Sequence, residues 1–147
     1  MIRWLIDTNV ISEMRRPRPA KAVVDWIAGI ELDCLFTSSL NIAELRLGIL
    51  GKNTPAEAQH LELWVENIIR PWFSGRVAEI GEAVFLRWRV LARQMQVKQL
   101  PAPATDLLIA ATALEHSLHV ATRDVKPFLG TGVPVLNPWT GECFNGA

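Results

Sequence analysis

Ile2-Arg3-Trp4-Leu5-Ile6-Asp7-Thr8-Asn9-Val10-Ile11 is the stretch on which the fold turns. A short apolar run bounded by polar residues reads as a buried strand over 2–6. Asp7 then stands at its carboxyl end, and a helix follows from Thr8. In open α/β sheets that edge is where ligands bind. Working outward, three more carboxylates occupy comparable settings. Asp106 opens the apolar helical run Leu107-Leu108-Ile109-Ala110-Ala111. Asp124 follows the strand-like Leu118-His119-Val120-Ala121. Glu44 stands in the first turns of a helix after Leu35-Phe36-Thr37. Acids placed independently at strand ends and helix starts point to one acidic pocket.

The remaining sequence supplies the scaffold. Strands are predicted near 2–6, 34–37, 76–80, 118–121 and 133–136. Helices are predicted over 8–15, 20–29, 40–50, 55–70, 81–97 and 105–117, with a short turn at 124–129. This alternation argues for a mostly parallel sheet with helices on both faces. Helix 55–70 carries Ala58, Leu61, Trp64, Val65 and Ile68 at helical spacing, and helix 81–97 carries Ala83, Val84, Leu86, Trp88, Val90, Leu91 and Met95. The prolines of Gln99-Leu100-Pro101-Ala102-Pro103 make a rigid connector, because each disfavours helix at the residue before it. The apolar residues of the middle helices exceed what one face needs. Surplus of that kind, arranged as a clip-like arm, usually means a partner.

The chain has 147 residues, half of them apolar, with 15 basic and 15 acidic side chains. That length suits a single domain over 1–147, burying roughly 70% of the surface exposed by the unfolded chain. Zero net charge argues against a surface built for broad nucleic-acid adhesion and leaves room for a local basic patch. Arg15, Arg16, Arg18 and Lys21 are the local candidates for phosphate contacts; the alternative is an ordinary solvated face. Cys34 and Cys143 lack metal-ligand spacing and read as buried free thiols of a reducing compartment. The N-terminal apolar run is too short for a signal peptide, and nothing approaches a membrane span, so a cytoplasmic location is expected.

Each acid has a structural reading beside the functional one. Asp7 reads as a cap on the next helix, Asp106 as a charge favourable to its first turn, and Asp124 as a turn residue before Pro127. Asn41-Ile42-Ala43-Glu44 fits a capping box, with competing phases from Ser38 or Ser39. Capping does not explain why all four fall at one edge of one sheet. Clustered carboxylates repel, and in a pocket of low dielectric one tends to stay protonated. A hard divalent ion, Mg²⁺ or Mn²⁺, removes that conflict and can activate water against a phosphodiester. Other chemistries lack their residues: His60, His116 and His119 share no motif, there is no Walker loop or Gly-x-Gly-x-x-Gly, and Ser38 and Ser39 have no paired His.

Leu5-Ile6-Asp7-Thr8-Asn9, Ser38-Ser39-Leu40-Asn41-Ile42-Ala43-Glu44-Leu45, Thr105-Asp106-Leu107-Leu108-Ile109-Ala110-Ala111 and Ala121-Thr122-Arg123-Asp124 resemble the successive motifs of PIN domains. More narrowly they resemble VapC-type toxins of type II toxin–antitoxin pairs, with a FitB-like character in Asn137-Pro138-Trp139. The resemblance runs through the whole chain in order. It implies a three-layer α/β/α PIN-like domain with a mostly parallel central sheet of about five strands. It also implies a magnesium-dependent endoribonuclease that cuts RNA, with Mn²⁺ able to substitute. Asp7, Glu44, Asp106 and Asp124 would form the catalytic metal site, supported by the polar Asn9, Ser38 and Thr122. The implied partners are a cognate antitoxin and a second copy in a homodimer, extending to a higher toxin–antitoxin assembly. Two other classes stay open: a non-catalytic binding module on the same scaffold, or a metal-dependent phosphatase or phosphotransfer domain with Asp7 as nucleophile. The latter needs a lysine near the phosphate, for which Lys126 is the sole candidate.

Overall fold

The computed structural model describes residues 1–146. Its sheet is laid down by five parallel strands, β1 (Trp4–Ile6), β2 (Leu35–Ser38), β3 (Val77–Ala78), β4 (His119–Ala121) and β5 (Val135–Leu136), with β6 (Cys143–Phe144) antiparallel at one edge. Among the described residues the order is β3-β2-β1-β4-β5-β6. The sixth strand was not expected: it is two residues long, exposed, and has no apolar run to announce it.

β1 is the centre. Trp4 pairs with Leu35 on one side and His119 on the other, and Leu5 lies between Phe36 and Val120. Side chains alternate across a strand, so Trp4 and Ile6 enter one apolar cluster while Leu5 enters the other. Both faces of the sheet are therefore covered, as parallel sheets require. The first cluster is closed by α1 (Thr8–Glu13), α2 (Lys21–Ala28), α3 (Ser39–Leu50), α4 (Pro55–Trp64) and α5 (Arg70–Trp72). The second is closed by α6 (Glu82–Val97) and α7 (Ala104–Glu115), which pack along each other.

The predicted helices form, with local corrections. Helix 55–70 starts where Thr54 caps the Glu57 amide at 3.2 Å and Pro55 occupies the first turn. It then widens into a π turn over Val65–Ile69 before Pro71, which has no amide hydrogen to give. The predicted Leu61 and Val65 are buried, and past the widened turn the buried face continues through Ile69 and Phe73 and leaves Ile68 exposed. On α6, only Val84, Leu91 and Met95 of the apolar set are buried; Leu86 and Val90 face outward. That helix ends with Gln99 in the left-handed region and a Leu100 amide bonded to the Met95 carbonyl at 3.0 Å. The proline connector then leads into α7. Both cysteines are free, but only Cys34 is buried; Cys143 is exposed because it lies on the edge strand. No helix among the described residues is long and apolar enough to cross a membrane.

Leu5 is 0% exposed, whereas Leu50, at the end of α3, is 83% exposed. Leu5→Ala should cost about 2–5 kcal/mol, since it leaves a cavity at the centre of the sheet. Leu50→Ala should stay within about 0.5 kcal/mol. Urea unfolding of both variants checks this, and similar midpoints would contradict the assignment of β1 as the core strand.

Candidate active site

The chain leaves β1 toward β2 on one side and leaves β4 toward β5 on the other. A crevice opens between their carboxyl ends, the usual place for a ligand in such a sheet. Asp7 ends β1 and caps α1. It is buried, and both of its oxygens accept hydrogen bonds: Oδ1 from the Thr8 amide at 2.8 Å and from Asn41 Nδ2 at 3.1 Å, and Oδ2 from the Thr122 hydroxyl at 2.8 Å, which leaves Oδ2 a free lone pair. Capping and site formation are thus one geometry, not alternatives.

Thr122 follows β4 and works as a hub. Its hydroxyl donates to Asp7 and accepts from Asn9 Nδ2 at 3.1 Å and from the Asp124 amide at 3.3 Å. Asn9 closes the link through its Oδ1, which accepts from the Arg123 amide at 3.2 Å. Ser38 caps α3 by accepting from the Asn41 amide at 3.2 Å, and its hydroxyl donates to Asn41 Oδ1 at 2.5 Å. Ser38 therefore reaches Asp7 only through Asn41. Helix α3 begins from Ser38, so the box phase starting at Asn41 is corrected. Glu44 lies past the capping turn, and its Oε2 accepts from the Thr8 hydroxyl at 2.6 Å.

Asp106 sits in the first turn of α7, ahead of the buried Leu107, Ile109, Ala110, Ala111, Thr112 and Ala113. No described side chain donates to it. It nevertheless feels Asp7, Asp124 and Glu44. Burial first, and then those charges, push its carboxyl from an ordinary 3.8 up to about 6. Burial likewise raises Asp7, opposed by the hydrogen bonds from Thr122, Thr8 and Asn41 and assisted by the charge of Asp124. Glu44 is raised by burial and by Asp7, against the Thr8 hydrogen bond. No arginine or lysine is among the charges that act on these three acids.

The donor chemistry, all hard oxygen with uncompensated negative charge, fits a hard divalent cation. Among the described residues, however, no three His, Cys, Asp or Glu side chains converge closely enough to enclose an ion. The fit is that of an ion that keeps several of its own waters, as Mg²⁺ does.

A groove of about 380 Å³ begins at Thr8 and Glu44 and continues past Ser12, Arg15, Arg16, Lys52 and Trp64. Of the basic run, Arg15 and Arg16 line it. Arg15 lies over the Trp64 ring at 5.8 Å, and Arg16 pairs with Glu13 at 3.3 Å. Arg18 is exposed outside the groove lining, and Lys21 is paired with Asp25 at 2.5 Å. Sequence reasoning missed Thr8, Asn41 and Lys52. Asn41 left one signal: it is polar, in a largely apolar segment, and three residues before Glu44, hence on the same helical face.

The folded-state pKa of Asp106 lies above its unfolded value, so it is the ionised folded form that is penalised. The penalty is absent well below pH 3.8 and complete above about pH 6. Without metal, stability contributed through Asp106 therefore falls as pH rises across that window. In chelator, Asp106→Asn should match the parent near pH 3.5 and melt progressively higher than it up to pH 6, with a constant gap above. Melting curves across this range check it; a gap independent of pH would refute the shared field.

Three comparisons place the chain among known proteins. A PIN domain family model matches residues 4–129. Toxin FitB of Neisseria gonorrhoeae is 38% identical over 135 residues, which are 92% of this chain and 97% of that protein. The VapC ribonuclease Y4jK of Sinorhizobium fredii is 33% identical, over 92% of this chain and 96% of its own length. A crystal structure of FitAcB from Neisseria gonorrhoeae superposes with a TM-score of 0.88 at 38% identity, covering 92% of this chain and 98% of that one. The fold, the order of the motifs and these matches agree: the chain belongs to the PIN domain family.

Proposed function

We propose that this chain is a metal-dependent endoribonuclease and the toxin of a type II toxin–antitoxin pair. One observation carries the reading: acids from four separate segments share one uncompensated field at the sheet's switch point, and a groove lined by arginine and lysine leads to it. The similarity to a protein named as a VapC ribonuclease supports the same chemistry. Asp7, Asp106 and Glu44 would hold Mg²⁺ or Mn²⁺ with the ion's own waters bridging the gaps between carboxylates that do not close around it, and Asp124 would hold a second ion or orient water. When bound, the ion acidifies water and stabilises charge on the phosphoryl oxygens.

The chain's own residues supply the rest. Thr122 and Asn41 keep the Asp7 carboxylate in one orientation, and Thr8 does so for Glu44. Arg15, Arg16 and Lys52 offer phosphate contacts along the groove. The phosphatase reading is less well supported. It needs a lysine beside Asp7, and no lysine is among the groups that act on that carboxylate.

The exposed apolar residues Leu47, Leu50 and Leu63, with Ile68 in the π turn that continues α4, support a partner on the α3–α4 arm. We read that partner as the antitoxin, binding helices within 8–29 and 40–70 and projecting Arg or Lys toward Asp7. A guanidinium there takes the place of the metal's charge by bidentate pairing. The outward face of α6, with Phe85, Leu86 and Val90, offers a surface to a second copy.

Purified protein incubated with cellular RNA should cleave in Mg²⁺ or Mn²⁺ and stop in chelator. Full activity in chelator, with no metal by elemental analysis, would sink the metal reading. The ends should carry 5′-phosphate and 3′-hydroxyl groups, because in-line attack by water needs no 2′-hydroxyl. Cyclic 2′,3′-phosphates would point to acid–base chemistry instead, and among the described residues no histidine lines the groove: His116 contacts the Glu79 carbonyl at 2.9 Å and His119 packs on Trp4.

Glu44→Gln separates ligation from scaffolding. Gln still accepts from Thr8, so the fold should survive and the chelated protein should be slightly more stable, with one repelling charge gone. Cleavage should fall by orders of magnitude, and Mg²⁺ should raise the melting temperature less than in the parent. An unchanged rate and metal response would remove Glu44 from the site.

A further inference from the structure

We propose that Arg123, held over the indole of Trp139, grips a phosphate of single-stranded RNA beside the acidic edge; the inference rests on the ribonuclease reading. Arg123 stands between Thr122, whose hydroxyl bonds Asp7, and Asp124. Its backbone is fixed at both ends. The amide donates to Asn9 Oδ1 at 3.2 Å, and the carbonyl accepts from Asn137 Nδ2 at 3.3 Å. Asn137 Oδ1 in turn accepts from the Trp139 amide at 2.8 Å, so one asparagine joins the arginine's backbone to the tryptophan's loop. The Arg123 guanidinium carbon lies 5.0 Å from the Trp139 ring centroid.

This arrangement differs from the chain's other arginines near carboxylates. Arg16, Arg46, Arg70 and Arg87 each have a carboxylate within 4.0 Å, whereas Arg123 is exposed and, among the described residues, has no such ion pair. Its charge reaches Glu13, but without contact. Stacking on an indole orients a guanidinium while leaving its N–H edge free, and that edge matches phosphate bidentately. The location supplies the need. A polyanion approaching an edge of four acids meets repulsion, and a pre-oriented cation beside that edge offsets it where the scissile region must rest. A second couple, Arg15 over Trp64, lines the groove on the Glu44 side. Trp139 acts here as a positioning residue, through Arg123.

The test is equilibrium binding of a fluorescent single-stranded RNA to the full chain in chelator, across a series of salt concentrations. Arg123→Ala should weaken binding about tenfold at low salt and take about 0.7 off the slope of log affinity against log salt, the value for one single-strand phosphate. Trp139→Leu should weaken binding less, Trp139→Phe should recover most of it, and Arg123→Ala with Trp139→Leu should be no weaker than Arg123→Ala alone. In turnover, Arg123→Ala should raise KM by a larger factor than it lowers kcat. An unchanged salt slope in Arg123→Ala, with RNA still cleaved, overturns this inference and leaves the ribonuclease reading standing. Additive losses in the double variant overturn the positioning role of Trp139. A parent chain that neither binds nor cleaves RNA overturns both readings. If Trp139 variants do not fold, the Arg123→Ala slope decides alone.

Discussion

A buried carboxylate must be hydrogen-bonded or neutralised, and Asp7 is the point at which this chain meets that demand. Its donors come from three places: the first amide of α1, Asn41 within α3, and Thr122 after β4. The same bonds that make Asp7 tolerable therefore register two strands and two helices against one another. Removing one donor leaves part of a buried acceptor unsatisfied, a cost of about 1–3 kcal/mol. The site is in this sense part of the framework, and its geometry is shared with the core rather than grafted onto it.

Charge is arranged on the same logic. The totals of basic and acidic side chains are equal, yet the field is uneven. Several cations are spent on carboxylates other than those of the crevice, as in Arg46–Glu66 and Arg87–Glu115. The acids of the crevice are left without such partners, while arginine and lysine gather along its approach. A chain of zero net charge can thus present a negative reaction edge and a positive approach to it. Screening limits each to about 8 Å at physiological salt, so only adjacent groups matter.

Much of this was legible in the residues. The run ending at Asp7 located the central strand, and the apolar stretch after Asp106 located the buried α7. Both signals are strong because they are continuous: a strand covered on both faces and a helix buried all round need apolar side chains throughout. The four acids were legible as types and as positions at one sheet edge, and the structure brings them into one field. Asn41 was misread as a cap because side-chain capping is local and its partner, Asp7, lies 34 residues away. The predicted face of helix 55–70 is buried or half-buried through Ala58, Leu61, Trp64 and Val65 and slips only at Ile68, because periodicity assumes a regular helix, which the π turn at Val65–Ile69 breaks. Strand β6 and the pairing of Arg123 with Trp139 had no local signature, because each depends on where a distant segment is delivered.

The central position of β1 sets the order in which the molecule can be assembled. The Thr122 hydroxyl that steadies Asp7 is 115 residues downstream, and β4 must slide in beside a strand made long before it. A nascent chain on the ribosome carries Asp7 and Glu44 early, but its crevice has only one wall until β4 emerges. Long-range parallel pairing of this kind is slow, since chain closure precedes the contacts that reward it. The acidic edge is consequently complete only after β4 has been made and paired, however early Asp7 itself is in place.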